Sequence, residues 1–314
     1  MMRLLVTGVS GLFGLNLALQ AQERFTVIGV ARTPLQGVAF ESHSSDLEAE
    51  DAALRLVADF RPDAVINGAA LAYPDQCEAE PERAYRLNAL FPSELARQCA
   101  RARIPLIHIS TDSVFDGRKT TPYTEEDSPN PLNTYARTKR EAEEAVLEAH
   151  PQALVVRTNF YGWSPSGKRS LAEFFFSNLS AGKAVNGFTD VIFCPILVTD
   201  LAQLLLEMLE RGLSGLYHVL GTQPMSKYAF GVAIARTFGL DENLIRPCSI
   251  ADAPLAARRA THLWLSTQKV TEALGHPLPE FPTGLQQFYT QFLEGYPQKL
   301  RSYPQWTVER EREA

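Results

Sequence analysis

Cysteine is scarce, and its placement suggests no framework. Cys77, Cys99, Cys194 and Cys248 lie far apart with no CxxC spacing, and the six histidines form no HxxxH or HExxH pair. Reduced thiols and no bound metal are therefore expected. No apolar run approaches the roughly 20 residues that a membrane span needs. The N-terminus enters a strand pattern at once, without a basic segment, an apolar segment and a small-residue cleavage site, so a cytoplasmic protein with no membrane partner is expected. Charge of one sign never accumulates: 30 Lys and Arg stand against 36 Asp and Glu, a net −6 with no long run of either. That balance argues against a nucleic-acid partner.

What is present is an ordinary globular composition, 45% hydrophobic and 21% charged, in 314 residues. That length suits two domains or one large α/β domain with an added lobe. Short apolar runs at 3–7, 26–30, 64–67, 106–110 and 154–157 read as strands, and 14–22, 51–60, 92–101 and 134–149 read as helices. Runs apolar at every position suit a parallel sheet covered on both faces, and their alternation with helices predicts a Rossmann-type, doubly wound α/β sheet. After about residue 160 the alternation fails in a Gly, Ser and Pro rich stretch, 162–167, and an aromatic run, 174–176. A helix at 200–211 and a strand at 216–220 look like a return to the sheet. The expected division is a dinucleotide-binding domain over 1–160, rejoined by 195–220, with a smaller substrate-binding lobe from 161–194 and 221–300. The charged end, 301–314, reads as a tail.

Thr7, Gly8, Val9, Ser10, Gly11, Leu12, Phe13 and Gly14 follow the first strand and open the first helix. In that setting Gly8 makes the tight turn, Gly11 admits a pyrophosphate to the backbone, and Gly14 lets helix and strand pack closely. The phosphate then meets unpaired N–H groups at the positive end of the helix. Where the second strand ends, an NAD-binding fold carries an acid for the adenine ribose. Here the residues are Ala31 and Arg32, and a guanidinium there suits a 2′-phosphate. NADP is the expected cofactor, with NAD left open.

Tyr135 and Lys139 are four residues apart in a helical segment, which sets both on one face. A nearby ammonium favours ionisation of a phenol, so the pair makes a general acid or base. Alone the spacing is weak, since a packed ring beside a solvated amine looks the same. It gains weight from Ser110, Thr111, Asp112, Ser113, Val114, Phe115, Asp116 and Gly117 after the fourth apolar strand, where hydroxyls would reach the carboxyl edge of the sheet.

TGxxGxxG, STDxVFxG and YxxxK together resemble the extended short-chain dehydrogenase/reductase superfamily, and within it the dTDP-4-dehydrorhamnose reductase group. The similarity continues through Asp46 and Leu47, the stretch Asn67 to Ala70, Asn88 within Leu-Asn-Ala, Pro122 to Glu125, Pro129, Arg157 to Gly162, Phe188 to Asp200, and Gly215 to Val219. The resemblance implies Thr111, Tyr135 and Lys139 as the catalytic triad. It implies a cofactor site built from the glycine turn with Ser10, Leu12 and Phe13, together with Arg32, Asp46, Leu47, Ala69, Ala70, Asn88 and Ser110. It further implies NADPH-dependent reduction of a 4-keto-6-deoxy nucleotide sugar, with a homodimer left open.

The sugar-binding parts depart from the group's pattern. Tyr73-Pro-Asp75-Gln-Cys-Glu78 replaces a Val-Asp-x-x-Glu, Asp190 to Ile196 lacks the usual Gln, Gly and Thr, and Arg259 to Leu265 alters a distal Arg-Pro-x-x-Ser. Tyr73, Asp75, Val114, Phe115, Asn159, Trp163, Asp190, Pro195 and Arg259 remain the candidate pocket residues. Lys227 at a loop-to-helix junction is a candidate for a phosphate. Two other readings stay open: an NADP-binding regulatory subunit, like that of methionine adenosyltransferase, and a nucleotide-sugar epimerase or dehydratase. The latter would favour an acid at position 31, and a dehydratase a Glu where Ser113 stands.

Overall fold

The computed structural model describes residues 1–303, so the charged end expected as a tail at 301–314 lies largely outside the described residues. Strands β1 (Arg3–Thr7), β2 (Thr26–Ala31), β3 (Glu41–Ser44), β4 (Ala64–Asn67), β5 (Leu106–Thr111) and β6 (Leu154–Thr158) join Gly215–His218 in one seven-stranded sheet. The order across it is Gly215–His218, β6, β5, β4, β1, β2, β3, and every pairing is parallel. Beginning at β1, the chain winds outward through β2 and β3 on one side and β4, β5 and β6 on the other. The β1/β4 boundary is therefore where the winding reverses, and a crevice opens there beyond the carboxyl ends of the strands.

The central strands are buried along nearly their whole length, which explains their lack of alternation. Leu4 and Val6 pack on one face with α1 (Leu12–Ala21) and the later helix Val198–Glu210. Leu5 packs on the other face with α2 (Ala52–Phe60) and α5 (Phe91–Ala102). Between β4 and α5 lie two short helices, α3 (Pro74–Ala79) and α4 (Pro81–Tyr85), and a π-helical turn, Arg86–Leu90. The long helix α6 (Thr134–Ala149) follows β5.

The sequence pattern misses β3, whose residues ESHS contain nothing apolar. As the outermost strand it is exposed on one side and needs no hydrophobic pattern. The strand carrying Thr111 is accordingly the fifth along the chain. Helix α1 begins at Leu12, two residues before the expected Gly14, because Gly11 is its extended N-terminal cap. Beyond β6, the aromatic run lies in a helix, Leu171–Ser180, opened by a reciprocal cap between Ser170 and Glu173. Small strand pairs, Val185–Phe188 with Ile245–Cys248 and Ile192–Phe193 with Met225–Ser226, build the region over the crevice. Among the described residues no helix is long and apolar enough to cross a membrane, and no group of His, Cys, Asp or Glu gathers as for a metal.

Candidate active site

The crevice at the β1/β4 boundary holds a cavity of about 440 Å³ lined by Gly8, Ser10 to Gly14, Ala31, Arg32, Asp46, Leu47 and Gly68 to Tyr73. A larger cavity, about 750 Å³, lies at the opposite end of the sheet around Arg103, Ile104 and His150. The glycine turn lines the smaller cavity and not the larger, which makes the smaller one the candidate site; Thr111, Tyr135 and Lys139 are among the wall residues of neither. Gly8 sits at φ +73°, and a Cβ there would lie 2.9 Å from the Ala69 backbone. A Cβ on Gly14 would lie 2.3 Å from the Gly8 carbonyl oxygen. The turn is therefore closed to side chains; the amides of Gly8, Val9 and Gly11 are taken by the Val30 and Gly8 carbonyls, and Ser10, Leu12 and Phe13 line the cavity at the start of α1.

At the far end of this cavity Ala31 is buried and Arg32 exposed. Arg32 pairs with no carboxylate among the described residues, whereas nearby Arg83 is held by Glu48 at 2.9 Å and Glu80 at 2.8 Å. Asp46 caps the backbone of Glu48 at 3.0 Å. Asn88, on the π-helical turn, grips Leu71 through both its N–H and its carbonyl at 2.8 and 3.1 Å. It shapes the loop after β4, where Ala69 and Ala70 line the cavity.

Tyr135 and Lys139 occupy the first two turns of α6. The start of that helix is fixed twice: Asn133 accepts from the Ala136 amide at 2.8 Å, and Glu78 accepts from the Thr134 amide at 2.7 Å and its hydroxyl at 2.8 Å. Burial raises the Tyr135 phenol above its ordinary value, opposed by the Thr111 hydroxyl beside it and reinforced by the Asp112 charge. Burial pulls the Lys139 ammonium down to about 8, with Glu143 one turn on resisting. Lys139 donates to the Ile109 carbonyl at 2.7 Å. Thr111, at the end of β5, donates to Asp112 at 3.2 Å and accepts from the Ser113 amide at 3.2 Å. Ser110 donates to Glu143 at 2.6 Å, and Glu143 holds Arg157 through two bonds at 2.9 and 2.7 Å. The helix that carries the tyrosine is thereby locked to β5 and β6 by buried polar groups.

The candidate pocket residues divide. Tyr73 is half exposed in the cavity wall, with the Arg169 guanidinium 5.9 Å from its ring. Asn159 donates to Asp112 at 2.8 Å, beside the triad. Asp75 and Arg259 bind each other at 3.1 Å, and Asp75 also accepts from the Ala257 amide at 2.8 Å. They hold the 253–262 segment against α3. Asp190 accepts from the Ser249 hydroxyl and the Ile250 amide, 59 and 60 positions along the chain. Val114, Phe115, Trp163 and Pro195 are not at the cavity surface. Phe115 stacks on Tyr123 at 4.2 Å, Trp163 stacks on Phe288 at 4.1 Å with its indole N–H on the Phe288 carbonyl, and Val114 and Pro195 are buried. Their bulk builds the core beneath the site. Lys227 faces Asp112, whose carboxyl burial pushes up and this ammonium pulls back.

The match to the family model described as RmlD substrate binding domain covers residues 2–294. The chain belongs to this family. It is 35% identical over 287 residues to a dTDP-4-dehydrorhamnose reductase of Mycolicibacterium smegmatis, covering 90% of this chain and 84% of that protein. It is 33% identical over 305 residues to the methionine adenosyltransferase 2 subunit beta of mouse, covering 93% and 88%. Among solved structures it superposes with TM-score 0.83 and 25% identity on a dTDP-4-dehydrorhamnose reductase of Bacillus anthracis in complex with NADP, covering 92% of this chain and 99% of that one.

For this RmlD-family chain, two site features lay outside the sequence reading. Arg169 reaches the cavity from the segment after β6, and no local pattern marks it. Asn133 caps α6, which the Asn preceding a helical run does signal.

Proposed function

We propose that this chain is an NADPH-dependent reductase of a 4-keto-6-deoxy nucleotide sugar. The observation that carries this reading is the meeting, on one edge of one sheet, of Thr111 from β5, Tyr135 and Lys139 from α6, and a glycine turn closed to side chains. The names of the reductase relatives and of the NADP-bound neighbour support it. The residues fit the cofactor: the turn leaves room for a pyrophosphate at the α1 terminus, and Arg32, without a carboxylate partner among the described residues, suits a 2′-phosphate. When bound, NADPH supplies a hydride to the keto carbon.

The chain's own groups handle the proton. Tyr135, kept protonated by burial, donates to the oxygen of the reduced carbonyl. Lys139 stabilises negative charge left on the phenol. Thr111 turns its hydroxyl proton from Asp112 to the substrate oxygen. The segments 161–194 and 221–300, with Tyr73 and Asn159, would hold the sugar nucleotide, and a cytoplasmic location goes with such a substrate.

Purified protein given NADPH and dTDP-4-keto-6-deoxyhexose is expected to oxidise the cofactor, with turnover reduced at least about 100-fold in Tyr135→Phe. Near wild-type turnover in that variant would remove the assignment. Cofactor binding without turnover, together with co-purification of a methionine adenosyltransferase, would instead identify a regulatory subunit.

A further inference from the structure

Strands β1, β4 and β5 each place a buried polar residue at the same level of the sheet. Register places Thr7 of β1 opposite Asn67 of β4, and Asn67 opposite His108 of β5. All three are buried, with Lys139 at the end of the row. The Ala69 amide donates to the Thr7 hydroxyl at 3.3 Å, Thr7 donates to the Asn67 carbonyl oxygen at 2.6 Å, and the Asn67 amide meets His108 Nδ1 at 3.0 Å. His108 Nε2 then lies 3.1 Å from Lys139 Nζ. The row runs from the loop that walls the cofactor cavity to the catalytic lysine.

The direction of this chain is set at its far end. A backbone N–H only donates, so Thr7 accepts there and spends its own proton on Asn67. That orients the Asn67 amide with its N–H toward Nδ1, and a neutral imidazole accepting at Nδ1 carries its proton on Nε2. Burial keeps His108 neutral, well below the ordinary histidine range. The group turned toward Lys139 is thus a donor, which an amine accepts and an ammonium does not.

We propose that His108 is a positioning residue for Lys139, presenting an Nε2–H that favours the amine form, with its tautomer dictated by Asn67, Thr7 and the Ala69 amide. This rests on the reading of Lys139 as part of the catalytic pair. Its consequence is a lysine that readily gives up a proton.

The other charged groups around α6 are already engaged. Glu78 on α3 caps the helix, and Arg83 on α4 is taken by Glu48 and Glu80. Arg86 is taken by Glu94 on α5, and Arg157 on β6 by Glu143. Cys77 on α3 is held as a thiol by burial, and Asp112 beyond β5 faces Lys227.

Two observations test the proposal on the full chain, the first with NADP bound and the second with NADPH as the reductant. Nitrogen-15 spectra of the histidines should show His108 with its proton on Nε2, and on Nδ1 in Asn67→Asp, where a carboxylate accepts from the ring. The alkaline limb of kcat at saturating substrate should move up by about one pH unit in both Asn67→Asp and Thr7→Val, since each releases the orientation of the chain. His108→Gln, which can turn its amide oxygen to the ammonium, should move the limb the same way. An Nδ1 proton in the unsubstituted protein, or a limb that stays in place in all three variants, would overturn the proposal. The tautomer is read without turnover, so it stands or falls apart from the catalytic reading, which Tyr135→Phe tests alone.

Discussion

On the proposed reading, Arg32 and Ala31 set which dinucleotide the chain prefers. A buried alanine where an acid would bind ribose hydroxyls removes the group that would repel a phosphate, and the exposed guanidinium beside it pairs with no carboxylate among the described residues. Replacement Arg32→Ala should weaken NADPH binding at least about tenfold while leaving NADH binding nearly unchanged. Fluorescence titration with both cofactors measures this, and an unchanged preference for NADPH would refute the role. The same scale shows what the sequence leaves hidden about Asp75 and Arg259. Each is a plausible substrate contact in the sequence, yet they lie 184 positions apart and satisfy each other. Only a long-range fold brings such a pair together. Tyr135 and Lys139, by contrast, were legible because a helix converts a spacing of four directly into proximity.

At the scale of elements, the glycine turn and α1 form one unit whose tolerance is measured in tenths of an ångström. Gly14→Ala would drive a methyl into the Gly8 carbonyl, with backbone on both sides and nothing flexible to yield. A destabilisation of about 2 kcal/mol or more is expected in denaturant unfolding, along with loss of cofactor affinity. A variant with unchanged stability and binding would show that the turn relaxes freely. This turn could be read locally, since its glycines and the flanking strand and helix are contiguous. The edge strand β3 could not, because hydrogen bonding to β2 rather than apolar content makes it a strand. The cap that Glu78 gives α6 was equally hidden, coming from 56 residues away.

For the molecule as a whole, two buried imidazoles couple stability to pH. Burial and the Arg157 charge lower His218 from 6.5 to about 3, and burial lowers His108 well below 6.5. Both are neutral in the folded protein and protonate in the unfolded chain below its ordinary value. The unfolded state therefore binds more protons, and stability falls as pH drops from about 6.5 toward 3. The expected slope is about 1.4 kcal/mol per pH unit for each histidine once well below 6.5. Urea unfolding at a series of acidic pH values measures it. The slope contributed by His218 should vanish in His218→Gln, and an unchanged slope there would assign the acid sensitivity to other groups.

By itself the sequence determined the class of sheet, the glycine turn that opens the first helix and the placing of Tyr135 and Lys139 four apart on one helix. Each of these is encoded within a dozen residues, through a hydrophobic period, a need for absent side chains, or a helical repeat. The tertiary structure alone decided which polar residues face the cavity and which serve packing. Val114, Phe115 and Trp163 went to the core, Arg169 came to the site, and Thr7, Asn67 and His108 became one buried row. The physical reason is common to all of them. The environment of a side chain depends on strand register and on segments tens to hundreds of residues away, and no local pattern records those pairings.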